Sequence, residues 1–133
     1  MIAIQQIDHV VLRTSRLAAM TAFYRDVLGC TVERILAAEI GLTQLRAGRA
    51  LIDLVAVDSQ LGKAGGAAPG PAGRNLDHLC LQIAPIPEQQ LVNWLQRHEI
   101  SVGPFETRYG ASGFGPSVYI SDPDGNTIEL RMG

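Results

Sequence analysis

One short sequence pattern occurs twice in the chain, and this repetition limits the possible folds more than any other feature. Residues 7–12 (IDHVVL) resemble residues 76–81 (LDHLCL). Each run is apolar and partly β-branched, as expected of a buried strand. A second pattern also recurs, since residues 52–54 (IDL) resemble residues 128–130 (IEL). Two such echoes in the same order predict two copies of one structural module.

The same order of elements is expected in both halves. Apolar residues at helical spacing follow each first strand and predict an amphipathic helix. Ser15 is expected to cap the first helix and Gly29 to end it, while Pro87 suits the first turn of the second. Strand-like segments follow at 30–36, 42–46 and 50–57, and then at 100–102, within 106–109 or 117–121, and at 127–131. The sequence therefore predicts an α+β fold with the order strand–helix–strand–strand–strand, twice.

The segment between the halves has the composition of a flexible linker. Residues 62–73 contain only Gly, Ala, Pro and one Lys, and such segments have no core face. They lack a GxxxxGK[ST] motif and precede no helix pattern, which argues against phosphate binding. We predict a single domain, residues 1–133, built from modules 4–58 and 75–132 that are joined by the linker 59–74.

The charge and the hydropathy of the sequence argue against nucleic acids and membranes as partners. The net charge is −2 and no Lys/Arg cluster is present, which argues against nucleic-acid binding. No apolar run approaches the roughly 18–20 residues of a membrane span, and residues 1–6 lack a signal-peptide pattern. Cys30 and Cys80 form no CxxC or zinc-finger spacing and fit a reducing compartment. We expect a cytoplasmic protein whose partner is a small molecule, with no nucleic acid and no membrane.

Four residues at equivalent places in the two halves predict a metal site. His9 and His78 lie in the repeated first strands, whereas Asp53 and Glu129 lie in the closing strands. A single histidine on an apolar strand is more often a core residue than a ligand. Here both carboxylates are flanked by Ile and Leu, where an unpaired carboxylate is costly, and no Lys or Arg recurs at matching places of the two halves to compensate. Nitrogen and oxygen donors without thiolate suit one Zn, Ni, Co, Mn or Fe(II) ion.

Other polar residues have two interpretations each. Residues 108–115 (RYGASGFG) fit a mobile flap in which Arg108 meets an anionic group, or a solvated loop whose aromatic side chains cover a rim. Residues 122–126 (DPDGN) predict a tight turn rather than a calcium loop. His98, at the end of the second helix, is expected at the surface rather than as a third histidine ligand. The candidate substrate-binding residues are Arg108, Tyr109, Ser117 and Tyr119.

Residues 7–12 (IDHVVL), 23–29 (FYRDVLG) and 122–130 (DPDGNTIEL) resemble the vicinal oxygen chelate superfamily. This superfamily includes glyoxalases, bleomycin-resistance proteins and extradiol dioxygenases, and the chain is most similar to short glyoxalase-I-like proteins. The resemblance implies two tandem βαβββ modules whose mixed sheets curl into a cup around a metal ion, in a homodimer. The ligand pattern of bacterial glyoxalase I falls on His9, Asp53, His78 and Glu129. Asp53 departs from it, because Glu is expected there.

The resemblance also implies a reaction. A metal-dependent, lactoylglutathione-lyase-like lyase or isomerase would act on a small oxygenated substrate through a metal-stabilised enediolate, with Glu129 as the proton shuttle. We find no dedicated basic pocket for glutathione. Two alternatives stay open at this point. One is an extradiol-type dioxygenase that uses His9, His78 and Glu129, and the other is a non-catalytic binding protein of the bleomycin-resistance type.

Overall fold

The computed structural model describes all residues from Met1 to Gly133 and divides into two compact units, Met1–Asn75 and Leu76–Gly133. Each unit contains a four-stranded mixed sheet with the same order of strands. This confirms the predicted α+β class and the two βαβββ modules. No helix in the structure has the length and apolar composition that crossing a membrane requires.

The first unit follows the predicted order and adds one short helix at its end. Its first strand runs parallel to the fourth, and the other pairs are antiparallel. The sheet order is β1-β4-β3-β2. The elements are β1 (His9–Thr14), α1 (Leu17–Ala22) with a π-helical turn (Phe23–Val27), β2 (Thr31–Ile35), β3 (Leu42–Ala47), β4 (Ala50–Ala56) and α2 (Gln60–Lys63).

The second unit repeats this topology. Its first strand again runs parallel to the closing strand, and the sheet order is β5-β8-β7-β6. The carboxylate-bearing strands β4 and β8 therefore both lie inside their sheets, beside the strand that carries or follows a histidine. The elements are β5 (Leu79–Ile83), α3 (Glu88–Arg97), β6 (Glu106–Gly110), β7 (Gly113–Ser121) and β8 (Thr127–Met132).

Each sheet has one apolar face, because side chains alternate along a strand. In the first unit this face buries Leu12, Leu45 and Leu54, and the first helix buries Met20. In the second unit the corresponding apolar side chains are Val118, Ile120, Ile128 and Leu130, and α3 buries Leu91 and Leu95. Asp53 and Glu129 consequently lie on the opposite face of their sheets.

The first helix begins differently from the sequence-based expectation. Ser15 does not cap it: the N-cap is Arg16, and no side chain caps the helix there. Instead the Thr14 hydroxyl accepts a hydrogen bond from the Arg16 backbone N–H at 2.9 Å. Ser15 stands one residue too early to reach the first helical turn. The end was predicted correctly, since Gly29 adopts a positive φ of 77°.

Two other expectations in the second half were wrong. Residues 100–102 form no strand, because the Ile100 N–H is used by the Leu95 carbonyl at the helix end. Residues 108–115 form no loop: the two candidate strands are both present and pair as a β-hairpin. Tyr109 and Phe114 face each other across this hairpin, with ring centroids 5.0 Å apart. This cross-strand aromatic pair favours strand over loop despite the glycines.

Part of the segment predicted as a flexible linker is tied to the first sheet. The Arg13 guanidinium donates to the carbonyls of Gly65, Gly66 and Ala67 at 2.6–3.0 Å. A Cβ added at Gly65 would lie 2.3 Å from Nε of Arg13, so glycine leaves room for the guanidinium there. The Asn75 side chain also accepts from and donates to the Arg13 backbone. One arginine therefore anchors both ends of this segment to β1.

We expect Arg13→Met to expose this segment to protease. The substitution removes three hydrogen bonds from a charged donor, which raises the population of the open segment. Trypsin cleavage after Lys63 should become about 5- to 30-fold faster in a native-state time course. The exposed Arg49, in the turn between β3 and β4, supplies the control Arg49→Met, which should leave the rate unchanged. Equal cleavage rates for wild type and Arg13→Met would contradict the anchoring role.

Candidate metal-binding site

The polar face of the second sheet receives side chains from all four strands. Strand register places Cys80 and Tyr119 on either side of Glu129, and Ser117 beside Arg131. Residues paired across neighbouring strands share a face. We call this surface the polar face of the second sheet. Its members include Cys80, Gln82, Glu106, Arg108, Ser117, Tyr119, Glu129 and Arg131.

Two of the predicted ligands meet on this face. Nε2 of His78 lies 3.4 Å from Oε1 of Glu129. Glu129 is only 5% exposed and lies on β8, an inner strand of the sheet. The ring of Tyr119 approaches His78 edge-on, with the centroids 5.8 Å apart. The second unit thus presents an imidazole and a buried carboxylate to the same space.

The other two predicted ligands share a face of the first sheet without a hydrogen bond between them. His9 begins β1, and Asp53 of β4 pairs with Val11, two positions further along. Asp53 is 4% exposed, and the Gln44 side-chain amide donates to its two oxygens at 3.2 and 3.3 Å. Gln44 in turn accepts from Nε of Arg34 at 2.9 Å. The sequence analysis missed this chain of contacts, although Gln44 lies directly opposite Asp53 in the register.

A carboxylate orients each imidazole through Nδ1. Asp8 lies 2.6 Å from Nδ1 of His9, and Asp77 lies 2.6 Å from Nδ1 of His78. The hydrogen bond to Asp8 is the main cause of a raised pKa at His9, and the charge on Asp53 raises this pKa further. An ionised carboxylate only accepts hydrogen bonds, so in the neutral ring Nδ1 carries the hydrogen and Nε2 keeps its lone pair. Metal-bound histidines commonly have such a partner.

The sequence held a signal for these two aspartates that the analysis did not use. Both precede a candidate ligand directly, as a repeated Asp-His dipeptide in the two echoing strands. A repeated pair of this kind is the pattern expected when the second residue ligates and the first orients it.

The contact between His78 and Glu129 tests whether the donors fit a metal ion. With the hydrogen on Nδ1, Nε2 and Oε1 are two acceptors 3.4 Å apart with no hydrogen between them. A cation bound by both atoms would satisfy the two lone pairs. Two donors that each bind one ion at about 2.1 Å lie roughly 3.0–3.4 Å apart. The donor types and their spacing both fit a divalent transition metal.

The structure groups the four predicted ligands as two pairs, one in each unit. No group of three or more His, Cys, Asp or Glu side chains that could hold a metal ion occurs in the chain. Each pair by itself is a partial site with one nitrogen donor and one oxygen donor. His98, expected at the surface, instead is half-buried at the end of α3, where its ring stacks on Trp94 at 4.6 Å.

Three of the four candidate substrate-binding residues form one cluster next to His78. Nη1 of Arg108 donates to the carbonyl and the hydroxyl of Ser117, both at 2.8 Å. The Arg108 guanidinium also lies 4.2 Å above the Tyr119 ring. Ser117 is fully buried, whereas Tyr119 is 36% exposed. Tyr109 alternates with Arg108 along β6, so it faces away from this cluster, and it is 73% exposed.

Arg131 belongs to the same face and was missed by the sequence analysis. It is only 4% exposed, and it stands two residues after Glu129 on β8, so strand alternation alone would have placed it beside the candidate ligand. The positive charge of Arg131 also affects the pKa of the Cys80 thiol. Burial raises the pKa of Cys80 and the charge on Glu129 raises it further, while Arg131 lowers it.

Comparisons with known proteins identify the family and the fold. A family model described as the Glyoxalase/Bleomycin resistance protein/Dioxygenase superfamily matches residues 6–130. The virulence protein STM3117 of Salmonella typhimurium is 35% identical over 132 residues, which cover 97% of this chain and 85% of that protein. In its crystal structure, aligned at 27% identity, the TM-score is 0.73 and 98% of each chain is covered.

Two further solved structures have the same fold. The integron cassette protein VCH_CASS1 of V. cholerae aligns with a TM-score of 0.75 at 24% identity over 99% of this chain and 98% of that one. A lactoylglutathione lyase from Agrobacterium tumefaciens aligns with a TM-score of 0.65 at 25% identity, over 96% and 93% of the two chains. The family model covers nearly all of the chain and a relative above 30% identity covers it almost completely. The chain belongs to the glyoxalase/bleomycin resistance protein/dioxygenase superfamily.

Proposed function

We propose that the protein is a metal-dependent lyase or isomerase of the glyoxalase I type that acts on a small oxygenated molecule. The observation that carries this proposal is the 3.4 Å contact between Nε2 of His78 and Oε1 of the buried Glu129. Asp77 holds the other nitrogen of the imidazole, and the Asp8–His9 pair repeats this arrangement. The similarity to a solved lactoylglutathione lyase supports the reaction class.

The proposed ligands of one divalent ion are His9, Asp53, His78 and Glu129. Asp8 and Asp77 fix the imidazoles so that Nε2 of each ring is the donor. Mixed nitrogen and oxygen donors suit Zn, Ni, Co, Mn or Fe(II). When bound, such an ion supplies positive charge that polarises the oxygens of the substrate.

Glu129 is the proposed proton carrier. It would take a proton from one carbon of the substrate through a carboxylate oxygen and return it to the neighbouring carbon. Its burial between apolar residues keeps water away from the carboxylate. Its longer side chain gives it more freedom to move than Asp53, which the Gln44 amide also holds.

The cluster of Arg108, Ser117 and Tyr119 is the proposed wall of the substrate site. The rings of Tyr119 and His78 form a T-shaped pair, and the Arg108 guanidinium lies over the Tyr119 ring. The buried Ser117 accepts hydrogen bonds from Arg108 and so holds the guanidinium in place, and its own hydroxyl does not face the substrate. Tyr109 lies on the other face of β6, so the proposal rests on the remaining three residues.

We further propose that the active form is a homodimer in a reducing, cytoplasmic environment. Ile2, Ile4 and Ile7 are each at least 80% exposed, and residues 1–8 belong to no helix or strand. Clustered exposed apolar side chains favour burial against a partner surface. Cys30 and Cys80 are both free thiols, which supports a reducing compartment.

A second candidate function is an extradiol-type dioxygenase. The Gln44 amide donates hydrogen bonds to both oxygens of Asp53. If Asp53 is therefore not a ligand, His9, His78 and Glu129 remain as a set of two histidines and one carboxylate. That set is typical of non-haem Fe(II) oxygenases. Iron-dependent oxygen uptake with a catechol, without hemithioacetal isomerisation, would favour this candidate.

Metal content tests the proposed ligands directly. Elemental analysis of protein purified without chelator should give about one divalent transition-metal ion per chain. His78→Ala and Glu129→Ala should lose at least about ten-fold in affinity, because each removes a donor. His98→Ala is the matched control, since it removes the third histidine, which stacks on Trp94, and should keep the metal. A wild-type protein that stays metal-free after incubation with Zn, Ni, Co, Mn and Fe(II) would contradict the proposal.

The role of Glu129 is tested by Glu129→Gln in the metal-loaded protein. Loss of the proton-carrying group should lower kcat for isomerising the hemithioacetal of methylglyoxal with a small thiol by about 100-fold or more. Glu88→Gln, an exposed position in the first turn of α3, should leave kcat unchanged. A Glu129→Gln variant that retains wild-type kcat with bound metal would contradict the assignment of Glu129 as the proton carrier.

A further inference from the structure

The polar face of the second sheet contains a buried positive charge, that of Arg131, which forms no ion pair with a carboxylate. Arg131 is 4% exposed, and its guanidinium donates only to two backbone carbonyls, those of Arg108 at 3.3 Å and Gly113 at 2.7 Å. Its Nε has no hydrogen-bond partner. A buried, unpaired charge is expensive for a fold. Its presence two residues from Glu129 therefore requires an explanation beyond packing.

The hairpin is shaped around this guanidinium. A Cβ added at Gly110 would lie 2.5 Å from Nη1 of Arg131, and one added at Gly115 would lie 3.0 Å from Nη2. Glycine on both strands lets β6 and β7 close around the charge. Because Arg131 also holds the Arg108 carbonyl, it fixes the strand from which the Arg108 side chain projects.

Arg108 is the second cation of this face, and its anionic partner is replaceable. Nη2 donates to Glu106 at 3.0 Å, but the Glu106 side chain is 61% exposed, whereas that of Arg108 is 19% exposed. An exposed ion pair of this kind contributes little to stability. The opposite edge of the guanidinium is held by Ser117. An incoming anion can thus take the place of Glu106 while Arg108 stays fixed.

The charges of this face favour an anion once a metal ion engages Glu129. The two guanidiniums are then balanced only by Glu106, at the solvent-exposed edge. The Tyr119 ring contacts both residues: the Arg108 guanidinium lies 4.2 Å from its centroid, and the His78 ring centroid lies 5.8 Å from it. A group bound to Arg108 is therefore close to the proposed ligand pair.

We propose that the substrate carries a carboxylate that replaces Glu106 on Arg108, and that Arg131 is a positioning residue for this contact. The proposal rests on the proposed function and specifies its substrate as a small oxygenated carboxylate. Arg108 makes the contact, because its guanidinium is partly exposed. Arg131 stays buried, holds the hairpin and adds positive potential.

Paired ligands of equal shape test this proposal. Lactate and lactamide differ in charge but closely match in size, and NMR titration of the full-length protein, with and without metal, gives their dissociation constants. Lactate should bind at least about ten-fold more tightly than lactamide, with the amide signals of Arg108 and Ser117 moving. Equal affinities of the wild type for the two ligands would overturn the proposal.

Four variants separate the roles of the residues. Arg108→Met should weaken lactate binding about 10- to 100-fold, whereas Glu106→Gln should strengthen it about two- to five-fold. Arg131→Met should reduce lactate binding and leave lactamide binding unchanged, and Arg131→Lys should restore part of the loss. A merely structural role for Arg131 would weaken both ligands alike. The control Arg97→Met, on the exposed side of α3, should change neither constant.

The lactate titrations test the anion site separately from the proposed reaction. The metal-free titration needs neither a bound ion nor turnover, so a lactate preference in a protein that never binds metal would reject the proposed function and keep the anion site. If Arg131→Met does not fold, Arg108→Met and Glu106→Gln still decide: unchanged lactate binding in both overturns the proposal.

Discussion

The constraint on which the structure depends is a carboxylate buried on an inner strand of each sheet. Asp53 and Glu129 are at most 5% exposed and stand between apolar neighbours in β4 and β8. Such groups need compensation, since the free energy of burying a bare carboxylate is prohibitive. In both units the parallel neighbouring strand is the one that carries or follows a histidine with an aspartate on its Nδ1. The repeated topology therefore delivers one nitrogen and one oxygen donor in each unit.

The two units use this scaffold differently. Beside Asp53 the register places Val11 and Gln44, and the Gln44 amide holds the carboxylate. Beside Glu129 it places Cys80 and Tyr119, and the Cys80 thiol forms a side-chain hydrogen bond with the carboxylate. In the proposed function the first unit holds its carboxylate in place. The second unit supplies Glu129 as the proton carrier, and Arg108, Tyr119 and Arg131 of the same face would hold the substrate.

The fold could be predicted from the sequence, because the repeated segments and the alternation of side chains along the strands determine the order of its elements. Residues 7–12 and 76–81 predicted the first strand of each module, and the similarity of Ile-Asp-Leu to Ile-Glu-Leu predicted the closing strands. The candidate ligands could also be predicted, because a polar residue inside an otherwise apolar strand indicates a function beyond packing. The features that were missed depend on local backbone geometry. Ser15 is one residue too early to cap, and the backbone of Ile100 is used by the helix end.

The missed site residues show a second limit of the sequence. Asp8 and Asp77 were visible as part of a repeated dipeptide, but their function depends on a 2.6 Å contact with Nδ1. Arg131 carries information only because it is buried without a carboxylate, and burial of one arginine cannot be predicted from alternation alone. The hairpin of β6 and β7 is stabilised by the pairing of Tyr109 with Phe114 against a glycine-rich composition that suggests a loop.

The central claim is that both histidine–carboxylate pairs bind one and the same ion. Calorimetric titration of metal-free protein with Zn or Ni measures this directly, with wild type, His9→Ala and His78→Ala compared at equal concentration. The account predicts about one ion per chain for the wild type, and loss of that single binding event in both variants. Two ions per chain, with each variant losing only one, would show that the pairs are separate sites and would contradict the account.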